Sequence, residues 1–287
     1  MTLPAHATEA SHQRYQLALQ LAQSCPPELG EEIALTGSTA RGWADDDSDL
    51  ELNLWSETIP PTEARVTWLE AAGVEHIEVF DQPRSDDSYW ISGRIGSVPI
   101  EVGWQTYAAY EGIIKQIVDG SRSGTLPYII LNAIPLRTSG KLGHWQAQLR
   151  GYSEVVQRQI LEAVVKRWAN PDYFKDWFRL LKRGERLYFT QQLLNDLNAM
   201  ISLLYAINQR WQPSGKWTLT TARELPTMPE RWHERIDAIL TAPPEAGVHL
   251  CLELLLDALA LVPPQYDVSA AVTTLQEAEQ LAKRRSF

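Results

Sequence analysis

The stretch TGSTARGWADDDSDLELNLW, residues 36–55, contains the residues best suited to chemistry in this chain. Five carboxylates fall within seven positions, from Asp45 to Glu51, directly before an alternating apolar run. In a strand, Asp49 and Glu51 would project from the same face with their Cα atoms about 7 Å apart. Two carboxylates at that separation can flank one Mg²⁺ ion or a pair of ions, which would relieve their mutual repulsion. The spacing therefore predicts a metal site at the start of this strand.

The residues upstream of the carboxylates are of types that bind phosphate. Gly37 lets the backbone approach a ligand closely, and Ser38 offers a hydroxyl donor. The following TARG predicts the start of a short helix whose free N–H groups face a phosphate, and Arg41 adds a charge-assisted contact. Phosphate donors followed by a metal-binding acidic strand are typical of nucleoside triphosphate transfer.

A third carboxylate lies on another predicted strand. In VPIEVGW, Glu101 stands between two apolar residues, so an acidic side chain interrupts an otherwise apolar strand. If this strand lies beside strand 49–55, Glu101 completes a three-carboxylate cluster with Asp49 and Glu51. Such a cluster would hold Mg²⁺ through hard oxygen ligands.

Each of these acidic residues also has a purely structural interpretation. Residues 45–47 can form a solvated turn, and Asp49 and Glu51 can lie on a half-exposed edge strand. Glu101 can be a salt-bridged strand residue. For Asp49, Glu51 and Glu101, the phosphate-type residues upstream favour the metal site over these alternatives, whereas residues 45–47 are expected to form the turn.

The same residues resemble a known family. GSTARGWADDDSDLELNL resembles the signature of the DNA polymerase β-like nucleotidyltransferases, and IEV resembles the third acidic strand of that superfamily. The resemblance implies that Gly37 and Ser38 hold a triphosphate and that Asp49 and Glu51 bind Mg²⁺. It also implies that Glu101 supplies the third carboxylate and acts as a base. The helical second half is similar in layout to the two-domain antibiotic nucleotidyltransferases of the aminoglycoside and lincosamide type.

The second half carries further candidates for phosphate binding. A helix predicted over residues 172–188 gathers five basic residues within an arc of about 100°; they are Lys175, Arg179, Lys182, Arg183 and Arg186. This stripe is either a solvated face or a surface of which one or two members, such as Lys182, hold the triphosphate. Leu187 is expected on the opposite, apolar side. Lys216 is the stronger single candidate, because SGKW…ELP resembles the family segment that supplies a phosphate-binding lysine.

The elements that must position these residues divide the chain into two parts. Apolar alternation predicts strands at EIALTG, DLELNLW, VEHIEVF, SYWISGRI and SVPIEVGW, with helices over residues 9–24, 62–72 and 105–118. Beyond residue 139 only helical periodicity is present, over residues 144–169, 172–188, 191–209, 229–240, 246–261 and 266–284. The pattern predicts an α+β fold. Residues 1–139 would form a catalytic domain with a mixed sheet and flanking helices. Residues 140–287 would form a helical bundle that closes over substrate and nucleotide.

The charge is divided in the same way. Residues 1–139 contain 20 acidic and 8 basic side chains, a balance of −12, whereas residues 140–287 contain 16 and 18, a balance of +2. The net charge of −10 argues against a partner such as a nucleic acid, which needs a basic surface. The asymmetry suggests that one domain holds cations and that the other can face anions.

Other classes of protein find little support in the sequence. Cys25 and Cys251 are far apart, which favours a reducing cytoplasm over a disulfide scaffold. No secretory signal is present, and no apolar run approaches the roughly 18–20 residues that span a membrane. The scattered histidines offer no zinc motif, and there is no Walker A loop. The 11 tryptophans are expected mainly in cores, with sugar or base stacking as the alternative.

The sequence thus predicts a cytoplasmic, Mg²⁺-dependent nucleotidyltransferase with ATP as the expected donor. The acceptor would be a hydroxyl of a small molecule, for which an aminoglycoside-like cation suits the acidic domain. Two other functions remain open. One is a protein-modifying adenylyltransferase of the antitoxin type, against which the long helical half argues. The other is a catalytically silent nucleotide-binding regulator, against which three retained carboxylates argue.

Overall fold

The alternation of leucine with polar residues at positions 50–56 produces a strand with two different faces. Leu50, Leu52 and Leu54 are fully buried, whereas Glu51 and Asn53 are half-buried. Successive side chains of a strand point to opposite faces, so the leucines share one face and the polar residues share the other. The polar face is the one that can meet a ligand.

This strand belongs to a six-stranded sheet. The computed structural model describes residues 2–80, 82–84 and 87–284. Its strands are β1 (Glu32–Leu35), β2 (Leu50–Ser56), β3 (Glu75–Phe80), β4 (Tyr89–Ile95), β5 (Val98–Thr106) and β6 (Ile134–Arg137). Their order across the sheet is β3-β4-β5-β2-β1-β6. β2 and β5 are parallel, and all the other neighbouring pairs of this sheet are antiparallel. The mixed sheet and the separate helical region confirm the predicted α+β class.

Helices pack against the sheet within the first of two units, residues 1–151. They are α1 (Glu9–Ser24), α2 (Gly37–Ala40), α3 (Thr62–Ala71), α4 (Tyr107–Val118), α5 (Leu126–Leu131) and α6 (Lys141–Arg150). α1 contacts β1, β2 and β6, while α4 contacts β5 and α6 contacts β1. Trp55 of β2 lies 5.1 Å from Tyr110 of α4 and 5.2 Å from Trp145 of α6, measured between ring centroids. This aromatic cluster covers the Trp55 end of the polar face, whereas Glu51, four residues earlier, is half-buried.

The second unit, residues 152–287, contains helices throughout its described residues. They are α7 (Glu154–Trp168), α8 (Tyr173–Arg183), α9 (Arg186–Ile207), α10 (Thr218–Ala222), α11 (Trp232–Thr241), α12 (Pro244–Ala260) and α13 (Ser269–Arg284). α9 and α12 contribute fully buried residues to its core, among them Met200, Leu203 and Leu254. Within the described residues no helix of either unit is long and apolar enough to cross a membrane.

The tryptophans mostly pack in the cores of the two units. Of the 11 in the chain, those that are buried are Trp55, Trp68, Trp104, Trp145, Trp168, Trp177 and Trp232. Burial of these large side chains stabilises each unit through removal of apolar surface from water. The interpretation of the tryptophans as mainly core residues is confirmed.

A carboxylate is fully buried in the core of the second unit. Trp168 Nε1 donates a hydrogen bond to Asp196 Oδ1 over 2.8 Å, and the Tyr173 hydroxyl donates to Asp196 Oδ2 over 2.8 Å. Burial raises the pKa of Asp196 to about 6, while the two hydrogen bonds act in the opposite direction. The charged form of Asp196 is therefore held in the core at a cost in stability.

This raised pKa predicts that stability falls as pH rises from about 4 to about 6. Folded protein then binds a proton at Asp196 that the unfolded chain, with a carboxyl pKa of 3.8, has already released. The free energy of unfolding should fall by about 3 kcal/mol across that window and change little from this source above it. Urea unfolding at closely spaced pH values should show the slope, and Asp196→Asn should remove it.

Asp237, which is exposed on α11, provides the control. Asp237→Asn should leave the slope between pH 4 and pH 6 as it is in the wild-type protein. An Asp196→Asn variant that keeps the full slope would assign this pH dependence to other groups.

Two predictions of a single continuous helix are wrong, because the structure interrupts both ranges. The helix predicted over residues 144–169 is divided, because α6 ends at Arg150 and Ser153 caps the N-terminus of α7 by accepting a hydrogen bond from the Val156 N–H. The helix predicted over residues 172–188 ends at Arg183, because Gly184 adopts a φ of 72°. A left-handed glycine of this kind is a common helix terminator.

The break at Gly184 changes the predicted basic stripe. Arg186 is the first residue of α9, so it does not share a helix with the other four basic residues. Leu187, predicted on the apolar side, is 76% exposed. Lys175 pairs with Asp172 at 2.9 Å and Arg179 pairs with Asp176 at 2.6 Å. Part of the stripe is thus a solvated, salt-bridged face.

The domain boundary at residues 139 and 140 stays a prediction. Contacts in the structure divide the chain after Gly151. The reason is that α6, which lies beyond the predicted boundary, packs against β1. Residues 126–137, for which the sequence predicted no helix or strand, form α5 followed by β6.

Candidate active site

The parallel pairing of β2 with β5 places two carboxylates side by side. Glu51 is the register partner of Glu101, so both side chains project from the same face of the sheet. Neighbouring strands lie about 4.8 Å apart, which allows both carboxylates to contact one small ion. Both residues are half-buried, whereas Leu50 and Val102 next to them are fully buried on the other face. The sheet thus presents a pair of carboxylates at one point of its polar face.

Gly37 lies directly against one of these carboxylates. Its φ is +69°, and a Cβ atom at this position would come within 2.5 Å of Glu51 Oε1. The Thr36 N–H donates to the Glu51 carbonyl over 3.0 Å, and Asn53 Nδ2 donates to Thr36 Oγ1 over 2.7 Å. The turn after β1 is therefore packed onto β2 so closely that a side chain at position 37 would require the Glu51 carboxylate or the turn to move.

The short helix predicted from TARG begins two residues earlier in the structure. It is α2, Gly37–Ala40, and it includes Ser38. Ser38 is buried, and its carbonyl accepts a hydrogen bond from the Trp43 N–H over 2.9 Å. Ser38 thus lies in an ordered segment next to the carboxylate pair.

Arg41 is a buried cation in the same region. Its guanidinium carbon lies 5.5 Å from the ring centroid of Trp43 and 5.6 Å from that of Tyr128. Burial lowers the pKa of Arg41, while interactions with Tyr128 and Glu51 raise it. Arg41 therefore interacts electrostatically with Glu51, one of the two paired carboxylates. Sequence reasoning missed Tyr128, which stands in an apolar segment without a recognisable motif.

The acidic residues before β2 form an exposed turn. Residues 45–47 are exposed, and Ser48 Oγ donates to Asp45 Oδ1 over 2.7 Å. This hydrogen bond holds the pKa of Asp45 below its usual value. Asp49 follows the turn, immediately before the first residue of β2, and is half-buried. The turn corresponds to the structural interpretation of residues 45–47, whereas Asp49 lies closer to the sheet.

The fit of these residues to Mg²⁺ depends on how many ligands the protein must supply. Across the described ranges, no three His, Cys, Asp or Glu side chains are grouped closely enough to hold a metal ion. The paired Glu51 and Glu101 nevertheless suit Mg²⁺, which usually takes one or two carboxylates together with phosphate oxygens and water. The donor set fits an ion that arrives with a nucleotide, and the role of Asp49 as a third ligand stays a prediction.

Lys182 and Lys216 lie in the second unit and are both exposed. Lys182 is in the last turn of α8. Lys216 is in the 3₁₀ turn Gly215–Trp217, which leads into α10. The Tyr205 hydroxyl donates to the Thr218 carbonyl over 2.9 Å and so fixes the end of this turn. Lys216 is thus presented to solvent from an ordered segment. The predicted site residues other than Lys182 and Lys216 lie in the first unit.

Part of the chain matches a known family model, and a solved structure is similar at low identity. A family model described as a domain of unknown function, DUF4037, matches residues 126–218, less than half of the chain. No curated protein matches. A crystal structure of a nucleotidyltransferase-like protein from Exiguobacterium sibiricum 255-15 is similar at 13% identity and a TM-score of 0.41, over 97% of this chain and 80% of that chain. A TM-score this low does not establish a shared fold, so function has to be inferred from the residues of the site.

Proposed function

We propose that this protein is a Mg²⁺-dependent nucleotidyltransferase that moves a nucleoside monophosphate, AMP from ATP in the first instance, to a hydroxyl of a small acceptor. Pyrophosphate would be the second product. The observation that carries the proposal is the register pairing of Glu51 with Glu101, with Gly37 packed against the Glu51 carboxylate. This arrangement would combine a site for a divalent ion with a backbone segment that binds phosphate.

The carboxylates would hold the ion and orient the acceptor. Glu51 and Glu101 would bind Mg²⁺ from adjacent strands, and Asp49 would join them when a nucleotide draws the three together. Bound Mg²⁺ would neutralise phosphate charge and polarise the acceptor hydroxyl. Glu101 would also accept the proton of that hydroxyl, which requires that it stay ionised next to the ion.

The phosphates would be held by the segment around Gly37. Ser38 offers a hydroxyl, and Arg41 offers a planar fork of donors that suits phosphate oxygens. Transfer of a nucleotidyl group needs little covalent chemistry from the protein, so positioning and charge stabilisation would supply most of the rate enhancement. The segment around Gly37 would supply both the positioning of the phosphates and the stabilisation of their charge.

An acceptor with positive charge would suit the first unit. The negative balance of residues 1–139 attracts cations and would raise their local concentration near the site. An aminoglycoside-like antibiotic, which combines hydroxyl groups with ammonium groups, is the candidate of this class. The proposal therefore places such compounds first in an acceptor panel.

The test is incubation of the purified protein with labelled ATP, GTP, CTP or UTP, Mg²⁺ and a panel of hydroxylated acceptors that includes aminoglycosides. Release of pyrophosphate that depends on both metal and acceptor would support the proposal. A parallel melting curve separates a silent regulator from an enzyme. A nucleotide at a hundredfold excess over its Kd should add about 2.7 kcal/mol of stability. Stabilisation without turnover on any acceptor would favour the regulator, and the absence of both would remove the proposed function.

Lys216 provides a test in the second unit. If its ammonium group binds the β- or γ-phosphate, Lys216→Ala should raise the Kd for ATP about tenfold, which corresponds to about 1.4 kcal/mol. The fold should be unaffected, because the side chain is exposed. Isothermal titration with MgATP measures the change. Lys166→Ala, at an exposed position of α7, is the control. Equal affinities of the two variants for ATP would show that Lys216 is a solvated surface residue that does not bind phosphate.

A further inference from the structure

A buried arginine of α1 holds the acidic turn by its main chain. Arg14 is only 3% exposed. Its Nε donates to the Ser48 carbonyl over 2.9 Å, and its Nη2 donates to the Asp46 carbonyl over 3.1 Å. The remaining nitrogen, Nη1, donates to the Ala10 carbonyl of the same helix over 3.3 Å. The guanidinium group is thus fixed at one side to α1 and at the other to the turn.

The residues around Arg14 hold the start of the same turn. Thr8, the N-cap of α1, donates from Oγ1 to the Ala44 carbonyl over 2.6 Å. The Ala44 N–H donates to Ser11 Oγ over 3.0 Å, and the Thr8 N–H donates to the Gly42 carbonyl over 3.1 Å. The segment 42–48 is therefore bound to α1 at both of its ends, and Arg14 is the contact nearest to Asp49.

Two features of Arg14 go beyond simple packing. First, it binds carbonyl oxygens of the turn, so its charge lies beneath an acidic segment without occupying the carboxylates that a metal would need. Second, the carbonyl of Ser48 and the nitrogen of Asp49 belong to one planar peptide unit. Fixing the Ser48 oxygen therefore fixes the direction in which the chain enters Asp49 and β2.

We infer that Arg14 is a positioning residue for the candidate metal site: it sets the backbone of Asp49 so that this carboxylate can join Glu51 and Glu101 around Mg²⁺. The inference rests on the proposed function and deepens it. Groups that orient the ligands of a metal typically change its affinity by about 10- to 100-fold when they are removed. Arg14 would do so through the main chain.

Three variants separate geometry from charge and from burial. Arg14→Met keeps an apolar stem and removes both the charge and the donors. Arg14→Lys keeps the charge and removes the planar fork that reaches two carbonyls. Arg65→Met is the matched control, because Arg65 is 2% exposed in the same unit and donates to Thr62 Oγ1 within α3. All three remove a buried guanidinium group.

The first measurement is the Mg²⁺ concentration that gives half-maximal pyrophosphate release at saturating ATP and acceptor. It should rise about tenfold for both Arg14 variants and stay within about twofold of wild type for Arg65→Met. The second measurement is amide hydrogen exchange of the segment 44–49, which does not depend on activity. Exchange there should become faster in both Arg14 variants and remain at the wild-type rate in Arg65→Met.

The outcomes distinguish this inference from the function on which it rests. Rescue of the Mg²⁺ requirement by Arg14→Lys would overturn it, since charge alone would then suffice. An unchanged Mg²⁺ requirement in both Arg14 variants of an active protein would also overturn it and leave the proposed function intact. A wild-type protein without metal-dependent turnover removes the proposed function, and the inference about the metal falls with it. In that case the exchange rates still show whether Arg14 orders the turn.

Discussion

Asp49→Asn and Glu101→Gln should each lower nucleotide turnover at least about a thousandfold while leaving the metal-free protein as stable as the wild type, or slightly more stable. Each substitution removes a negative charge that would face Mg²⁺ and the phosphates in the transition state. At about 1.4 kcal/mol per factor of ten, the loss corresponds to about 4 kcal/mol of charge stabilisation. Without metal, clustered carboxylates would repel one another, so the amides would relieve this repulsion rather than create strain. Turnover with Mg²⁺ and melting curves without it measure the two effects.

Asp47→Asn is the matched control for these variants. It removes the same charge from the exposed part of the same acidic turn and should leave turnover within a fewfold of wild type. The opposite pattern is expected if Asp49 and Glu101 are structural ion-pair partners. In that case both metal-free variants would be clearly less stable, and each folded molecule would keep its activity. Such a result would remove the three-carboxylate site.

Gly37→Ala should lower turnover about a hundredfold or more. A residue with a side chain at φ +69° is strained by roughly 1–2 kcal/mol. In addition, the new Cβ atom would meet Glu51 Oε1 at 2.5 Å, so the carboxylate or the turn must move by several tenths of an ångström or more. Displacement of a reacting group by about 1 Å can reduce a rate about a hundredfold. Kinetic measurements at saturating Mg²⁺ and ATP test this expectation.

Gly96→Ala separates backbone strain from the contact with Glu51. Gly96 lies in the turn between β4 and β5 with a φ of +57°, and nothing lies within 4 Å of a Cβ atom placed there. Both alanine variants should lose a similar amount of stability through backbone strain, whereas only Gly37→Ala should lose most of its turnover. Equal turnover in the two variants would show that the packing of Gly37 on Glu51 has no part in catalysis.

The parts of the site that share one strand were the most predictable from the sequence. The alternation of Leu50, Leu52 and Leu54 with polar residues indicates a strand with one buried face, and the structure has it at β2. The apolar neighbours of Glu101 likewise indicate β5. These patterns depend only on the two-residue period of a strand, which can be read directly from the order of apolar and polar residues. That Glu101 is the register partner of Glu51 required the tertiary structure.

The contacts that hold the site together from a distance were not predictable. Arg14 lies on a helix whose own periodicity is unclear, and its partners are carbonyl groups of a turn more than thirty residues later. Tyr128 lies far from Arg41 in the chain and is brought next to it only by the tertiary structure. Main-chain acceptors are present at every residue and leave no mark in the sequence, so contacts of this kind cannot be inferred from residue types.

The parallel pairing of β2 and β5 also fixes when the site can form during synthesis. Glu51 and Glu101 are separated in the chain by a helix and two strands. Glu51 is therefore synthesised with β2, before Glu101 is synthesised with β5. At about 5–20 residues per second, a ribosome adds Glu101 roughly 3–10 seconds after Glu51. Until β5 has emerged, Glu51 has no partner carboxylate, and closing the long connection between the two strands is entropically costly. Nascent chains that end before β5 should therefore lack the paired carboxylates, so a bound nucleotide could assist the folding of this unit only after β5 has been made.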